Sequence, residues 1–276
     1  MTWLTAPEQW PGTQVTVDVE GDWGTTALRG LDQALPWLLD QLDRHQARAT
    51  FFVVGEVAQQ RPAAIRRMVD GGHTVASHSQ THPAFSRLDA GAALQELQRS
   101  REVLEQLTGQ PCRGFRAPFF DAPQALGQWL QETGYSWSSS KSVFSPIAGY
   151  RHLSQSWQPH LWPGTAIQEW PVPGLLHLPI PEGLTWRRLF WPLSELQRRP
   201  PAMFYLHLYD LLQADDNFGY RRWPKWMMTF RGGTWSQAHL QGWLRQWQQT
   251  GLGQPGDLNL PAGNTTQKTS QPLLPR

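Results

Sequence analysis

Short apolar runs that alternate with amphipathic helical patterns constrain this chain most. "QVTVDV" (14–19) reads as a strand, and residues 25–44 then place Leu28, Leu31, Leu35, Leu38 and Leu42 on one helical stripe, with Pro36 the discordant residue. "RATFFVV" (48–54) is a second strand, uninterrupted in its apolar character and so buried on both faces. A helix over 57–70 is expected to close at Gly71 and Gly72, with "HTVASH" (73–78) as the third strand. Asp89 is a fitting N-cap for a helix carrying Leu94, Leu97, Leu104 and Leu107, ended by Gly109, after which "RGFRAP" begins a fourth strand. Asp121 is expected to cap the next helix, with Leu126, Trp129 and Leu130 inward and Gly134 at its end, and "YSWSS" is the fifth strand. Strands at 167–172 and 203–208 and a last helix with Leu240, Trp243, Leu244 and Trp247 complete the pattern. Repeated β then α implies an α/β fold with a parallel sheet, either closed as a barrel or open and doubly wound.

A chain of 276 residues can bury one large core of this kind. One domain over 1–250 is expected, with its motifs within 13–210 and a flexible Gly- and Pro-rich tail over 251–276. Lysine and arginine number 24 against 22 acidic residues, a net charge of +2 without any like-charged block, so neither nucleic acid nor an anionic membrane is indicated as a partner. The single cysteine, Cys112, can form no internal disulfide and reads as a small apolar filler. "MTWLTAPEQWPG" has no basic segment leading into an apolar one and no run approaches a membrane span, so a cytoplasmic chain is expected. Sixteen tryptophans supply flat indoles that suit sugar rings, although most belong to the core.

The polar residues that interrupt the strands fall at their C-terminal ends, where a parallel α/β fold gathers its site. "DVEGDW" offers Asp18, Glu20 and Asp22; "ASHSQTHPAF" brings His78 and His82, four residues apart; "GFRAPFFD" carries Arg116, and "YLHLYD" carries His207. On a helical turn such a histidine pair would converge on one point, yet nine histidines give ~0.3 pairs of this spacing by chance. Position is the stronger argument. A carboxylate with two histidines leaves coordination positions open, and water bound there is acidic enough to yield a nucleophile near neutral pH. The bland alternatives are a loop carboxylate paired with Arg116 and a satisfied core histidine at 207. His45, His73, His152, His160, His177 and His239 read as surface or structural residues.

In order, "VTVDVEGDW", "RATFFVVGE", "GGHTVASHSQTHP", "GFRAPFF" and "FYLHLYD" resemble the motifs of the NodB-like polysaccharide deacetylases, carbohydrate esterase family four. Within it they most resemble the branch associated with exopolysaccharide loci, whose first motif reads DVE. The resemblance implies a distorted (β/α)₇ barrel and a metal-dependent hydrolase that takes an N-acetyl group from an amino sugar in a polysaccharide or glycan precursor, cutting a linear, non-peptide amide. It also implies roles: Asp18 as general base, Glu20, His78 and His82 as ligands of a divalent cation, with zinc expected and cobalt the alternative, and Asp22 as reserve ligand. Arg116 would hold Asp18 ionised, the backbone N–H near Phe119 would bind the oxyanion, and His207 would be the general acid. The substrate would be a carbohydrate carrying an N-acylated amino sugar.

Two departures stand out. Phe119 occupies a position often held by tyrosine, and "YSWSSS" lies where an aspartate would support the catalytic residues. Ser138 and Ser139 cannot carry charge, so Asp210 becomes the candidate support for His207. A catalytically weak or silent carbohydrate-binding relative is therefore the second reading. A non-haem iron oxygenase would also use two histidines and a carboxylate, but gives Asp18, Arg116 and His207 nothing to do.

Overall fold

The structure, a computed structural model, describes residues 12–145, 149, 158–197, 200–213 and 229–253. Eight strands form one sheet: β1 (Gln14–Val19), β2 (Ala49–Val53), β3 (Thr74–Ser77), β4 (Gly114–Phe115), β5 (Trp137–Ser138), β6 (His160–Leu161), β7 (Gln168–Glu169) and β8 (Met203–His207). Their spatial order is β6-β7-β5-β4-β3-β2-β1-β8. Among the described residues seven of these run parallel, and β6 alone lies antiparallel, beside β7. The sheet curls into a half-barrel with helices outside it, in line with the distorted barrel that the family resemblance implies.

Strand alternation builds the two faces. In β1, Val15, Val17 and Val19 join the outer core against the helices, whereas Thr16 and Asp18 point inward and reach Arg116. In β8 the outward Phe204 packs on Trp243 and Trp247, while the inward Met203 meets Arg116 and Ser139. A smaller inner cluster of Phe120, Trp170, Val172, Met203 and Tyr205 fills the barrel below the site. Each fully buried Leu or Phe of the outer layer is worth roughly 1.5–3 kcal/mol.

Among the described residues seven α-helices connect and cover the strands: α1 (Leu35–Arg44), α2 (Gly55–Gln60), α3 (Pro62–Asp70), α4 (Ala90–Thr108), α5 (Leu126–Glu132), α6 (Leu184–Leu189) and α7 (Thr234–Thr250). Asp89 caps α4 as expected, its Oδ1 accepting the Ala92 N–H at 2.8 Å, and Gly109 ends it at φ 68°. The leucine stripe from Leu28 to Leu42 is buried, but the stretch opens with a wide turn at Gly30–Ala34 and Pro36 falls in the first turn of α1, where no N–H is needed.

Several expectations change. The helix over 57–70 is two helices, because Pro62 cannot donate and holds Arg61 at φ −133°, ψ 55°. Asp121 caps no helix; Ala125 is the N-cap of α5, and Asp121 accepts the Ser86 N–H at 2.8 Å, bracing the loop beyond His82. His78 and His82 are not on a helical turn but on the loop after β3, where Ser79 and His82 have φ of 66° and 63°. Residues 251–253 lie parallel beside Thr13 rather than opening a loose tail, and 254–276 and His152 lie outside the described residues. Among the described residues no helix is long and apolar enough to cross a membrane. Cys112 is buried, and burial pushes its thiol up to about 12, in keeping with a filler. His73 is structural: it accepts the Ala49 N–H at 3.3 Å, and burial lowers it to about 4.

Candidate active site and metal centre

Parallel register sets the site. Asp18 is the register partner of His207 across β1 and β8, so both side chains enter the barrel at the same rim. Arg116 follows β4, and the histidine loop follows β3, which bring two more chemistries to that rim.

Glu20, His78 and His82 each offer one ligand atom, and these atoms lie within 4.8 Å of one another. Glu20 Oε2 is 3.5 Å from His78 Nε2 and in contact with His82 Nε2. Burial pushes the Glu20 carboxyl upward, but His82, His78 and His207 outweigh it and hold it well below the usual carboxylate range. His78 Nδ1 lies 2.8 Å from the Arg116 carbonyl, which can only accept, so Nδ1 carries the proton and Nε2 turns its lone pair to the cluster. One hard oxygen and two imidazole nitrogens gathered at one point, with His78 held in the ligating tautomer, fit a divalent cation.

Asp18 and Arg116 are buried together, with Arg116 Nη1 donating to Asp18 Oδ1 at 2.7 Å and to Thr16 Oγ1 at 3.0 Å. Its Nε donates to the Ser139 carbonyl at 3.0 Å, and Nη2 to Ser139 Oγ at 2.9 Å and Met203 sulfur at 3.4 Å. Every donor of the guanidinium is thereby satisfied, and its plane rests 4.0 Å over the Phe52 ring. The pair expected of a plain loop carboxylate is present, but it sits in the barrel and points Asp18 Oδ2 toward His207 Nε2 at 3.9 Å.

His207 Nε2 is 3.8 Å from Glu20 Oε1, and its Nδ1 is 3.4 Å from Asp210 Oδ2. Burial lowers the imidazole's affinity for a proton, but Asp210, Glu20 and Asp18 more than compensate and raise it to about 9. Asp210 is itself anchored: burial raises its carboxyl, while Arg188 at 3.0 Å, His207 and the Thr185 hydroxyl at 2.7 Å pull it below the ordinary value. Asp210 thus supplies the carboxylate that Ser138 and Ser139 cannot.

Asp18, Glu20, His78, His82 and His207 line one cavity of about 500 Å³, walled by Trp23, Phe119, Phe144, Trp186 and Tyr209. Four of its lining residues, Trp23, His82, Phe119 and Phe120, have positive φ, a strain of roughly 1–3 kcal/mol each that concentrates at functional sites. Phe119 lies at φ 59° on the cavity wall, its carbonyl tied to Ser145 Oγ at 2.7 Å.

Asp22 is the one candidate that the fold takes away. Its carboxylate accepts the N–H groups of Arg29 at 2.7 Å and Gly30 at 3.0 Å, capping the turn before α1, and it stands outside the ligand cluster and the cavity lining. Sequence reasoning missed Thr16 and Arg188, and named Ser139 without placing it on Arg116. The alternation of "QVTVDV" could have placed Thr16 beside Asp18; nothing local marks Arg188 as the partner of Asp210.

Residues 22–137 match the family model described as polysaccharide deacetylase. Over that span the chain carries a polysaccharide deacetylase domain of the NodB-like kind. The matched span holds His78, His82 and Arg116, while Asp18, Glu20 and His207 lie beyond it. Among relatives of the deacetylase domain, the chitooligosaccharide deacetylase of Sinorhizobium fredii is 41% identical over 127 residues, covering 46% of this chain and 53% of that protein. The peptidoglycan-N-acetylglucosamine deacetylase of Bacillus cereus is 26% identical over 146 residues, covering 50% and 51%. The chain spans about half the length of the curated relatives it matches. In fold, the domain resembles a putative polysaccharide deacetylase from Mycobacterium smegmatis with a TM-score of 0.61 at 19% identity, over 88% of this chain and 86% of that one.

Proposed function

We propose that this deacetylase domain hydrolyses the N-acetyl group of an amino sugar in a glycan, with zinc held by Glu20, His78 and His82. The observation that carries the reading is that Asp18 and His207, 3.9 Å apart, line the same cavity as the ligand cluster, with His207 3.8 Å from Glu20. When bound, the cation would polarise the amide carbonyl and acidify water. Asp18, oriented by Arg116, would take the proton from the attacking water through Oδ2. The backbone at Phe119 would face the developing oxyanion. An amide nitrogen leaves badly unless protonated, and His207, held as imidazolium by Asp210, would give it that proton. The names of the two curated relatives support an N-acetylglucosamine-containing glycan as substrate.

The test is acetate release from N-acetylglucosamine oligomers by zinc-loaded protein, with a chelated control. Glycan binding without release at any pH or cation would replace the enzyme by a silent sugar-binding protein. The kcat/KM profile should fall on the alkaline side as His207 loses its proton, with the limb at or below about 9, since a cation beside Glu20 weakens one of the charges that raise it. Asp210→Asn should move that limb to lower pH, because it removes a negative charge from the imidazolium; an unmoved limb would assign the acid to another group.

A further inference from the structure

Behind the serines that stand in place of the expected aspartate lies a fully buried carboxylate, Glu169, on β7. It is the register partner of Ser138 and accepts the Ser138 hydroxyl at 2.6 Å. The Lys141 N–H at 2.7 Å, the Ser140 N–H at 2.9 Å and Trp162 Nε1 at 3.0 Å complete its shell.

The Ser138 and Ser140 hydroxyls are 2.8 Å apart, and the Ala117 N–H donates to Ser140 Oγ at 2.9 Å. A carboxylate cannot donate, so Ser138 gives its one proton to Glu169 and must accept from Ser140. Ser140 in turn receives the Ala117 N–H. That N–H belongs to the same peptide group as the Arg116 carbonyl, which lies 2.8 Å from His78 Nδ1. The bonds therefore run in one direction, from the imidazole through a peptide and two hydroxyls to the carboxylate. Aligned bonds of this kind polarise one another, and a ligating histidine is oriented by whatever holds its other nitrogen.

We propose that Glu169 is a positioning residue for the cation ligand His78, acting through Ser138, Ser140 and the peptide between Arg116 and Ala117. The proposal rests on the reading of Glu20, His78 and His82 as a cation site. It also accounts for the triplet Ser138–Ser140, whose neutral groups relay a charge on the neighbouring strand to the site. Ser139, between the two relay serines, keeps its carbonyl and hydroxyl on Arg116, so one short segment fixes the ligand histidine and the partner of Asp18 together.

The experiment is zinc binding by calorimetry, without substrate, for the wild type, Glu169→Gln, Ser140→Ala and Trp162→Phe, alongside the NMR resonance of the His78 Nδ1 proton in zinc-free protein. Ser140→Ala and Glu169→Gln should weaken zinc about 10-fold, the low end of the range for outer-shell partners, and shift the Nδ1 proton. Trp162→Phe removes a hydrogen bond from Glu169 but none from the chain of bonds, so it should leave both readouts near wild type. Should Glu169→Gln fail to fold, Ser140→Ala, which buries no new charge, decides alone. Wild-type zinc affinity and an unmoved proton in Ser140→Ala would overturn the relay, as would equal losses in Trp162→Phe. A wild type that binds zinc with the relay intact yet releases no acetate would overturn the deacetylase reading and leave the relay standing.

Discussion

Asp18→Asn should lower kcat/KM for acetate release by ~10²–10⁴-fold, the usual worth of a positioned general base, while zinc affinity stays near wild type. The amide oxygen can still accept the Arg116 Nη1 proton that Oδ1 accepts at 2.7 Å, so the guanidinium keeps its five acceptors. What is lost is charge and basicity at the oxygen facing His207. Both variants leave the buried Arg116 without its counter-charge; Asp18→Ala removes the hydrogen-bond acceptor as well and should cost the more, about 3–5 kcal/mol of stability. The pair of variants separates chemistry from folding: steady-state acetate release should fall in both, and urea unfolding should report the larger loss for alanine, which also leaves an Arg116 donor without an acceptor. Appreciable activity in Asp18→Asn would remove Asp18 from the role of base.

His82→Asn should abolish the stabilisation that zinc confers. Asparagine is the informative replacement because position 82 has φ 63°, which it tolerates better than alanine, so the backbone cost stays small. Losing one of three protein ligands should weaken zinc by at least ~10²-fold, beyond the ~10–100-fold typical of an outer-shell partner. In the wild type, zinc at a hundred times its Kd adds about 2.7 kcal/mol to unfolding. Melting curves with and without zinc should therefore separate for the wild type and coincide for His82→Asn. A zinc-induced shift that survives the substitution would place the cation elsewhere.

Much of this was legible because β-strands alternate. "QVTVDV" and "MFYLHL" each carry apolar residues on one parity and Thr16, Asp18, Tyr205 and His207 on the other, a code for the outside and inside of a barrel. Asp89 and Gly109 announced α4 by capping chemistry, which is local. Other features depended on partners far along the chain. Asp22 stands in the same strand-end cluster as Glu20, yet its oxygens are claimed by the backbone at Arg29 and Gly30, and no spacing rule says which acid a turn will take. The histidine pair was informative for its place after a strand, not for its helical spacing. Asp210 could be named from the sequence as the substitute for the absent aspartate, three residues after His207, whereas Glu169 behind Ser138 depends on pairing between distant strands.

Strand order has a kinetic consequence. β8 pairs with β1 across more than 180 residues of sequence, as the register Asp18↔His207 records, whereas β2 to β5 each sit beside their predecessor. Contacts so remote in sequence close slowly, after neighbours have zipped together. On the roles proposed above, a growing chain would contain its base and all three cation ligands well before its proton donor was made.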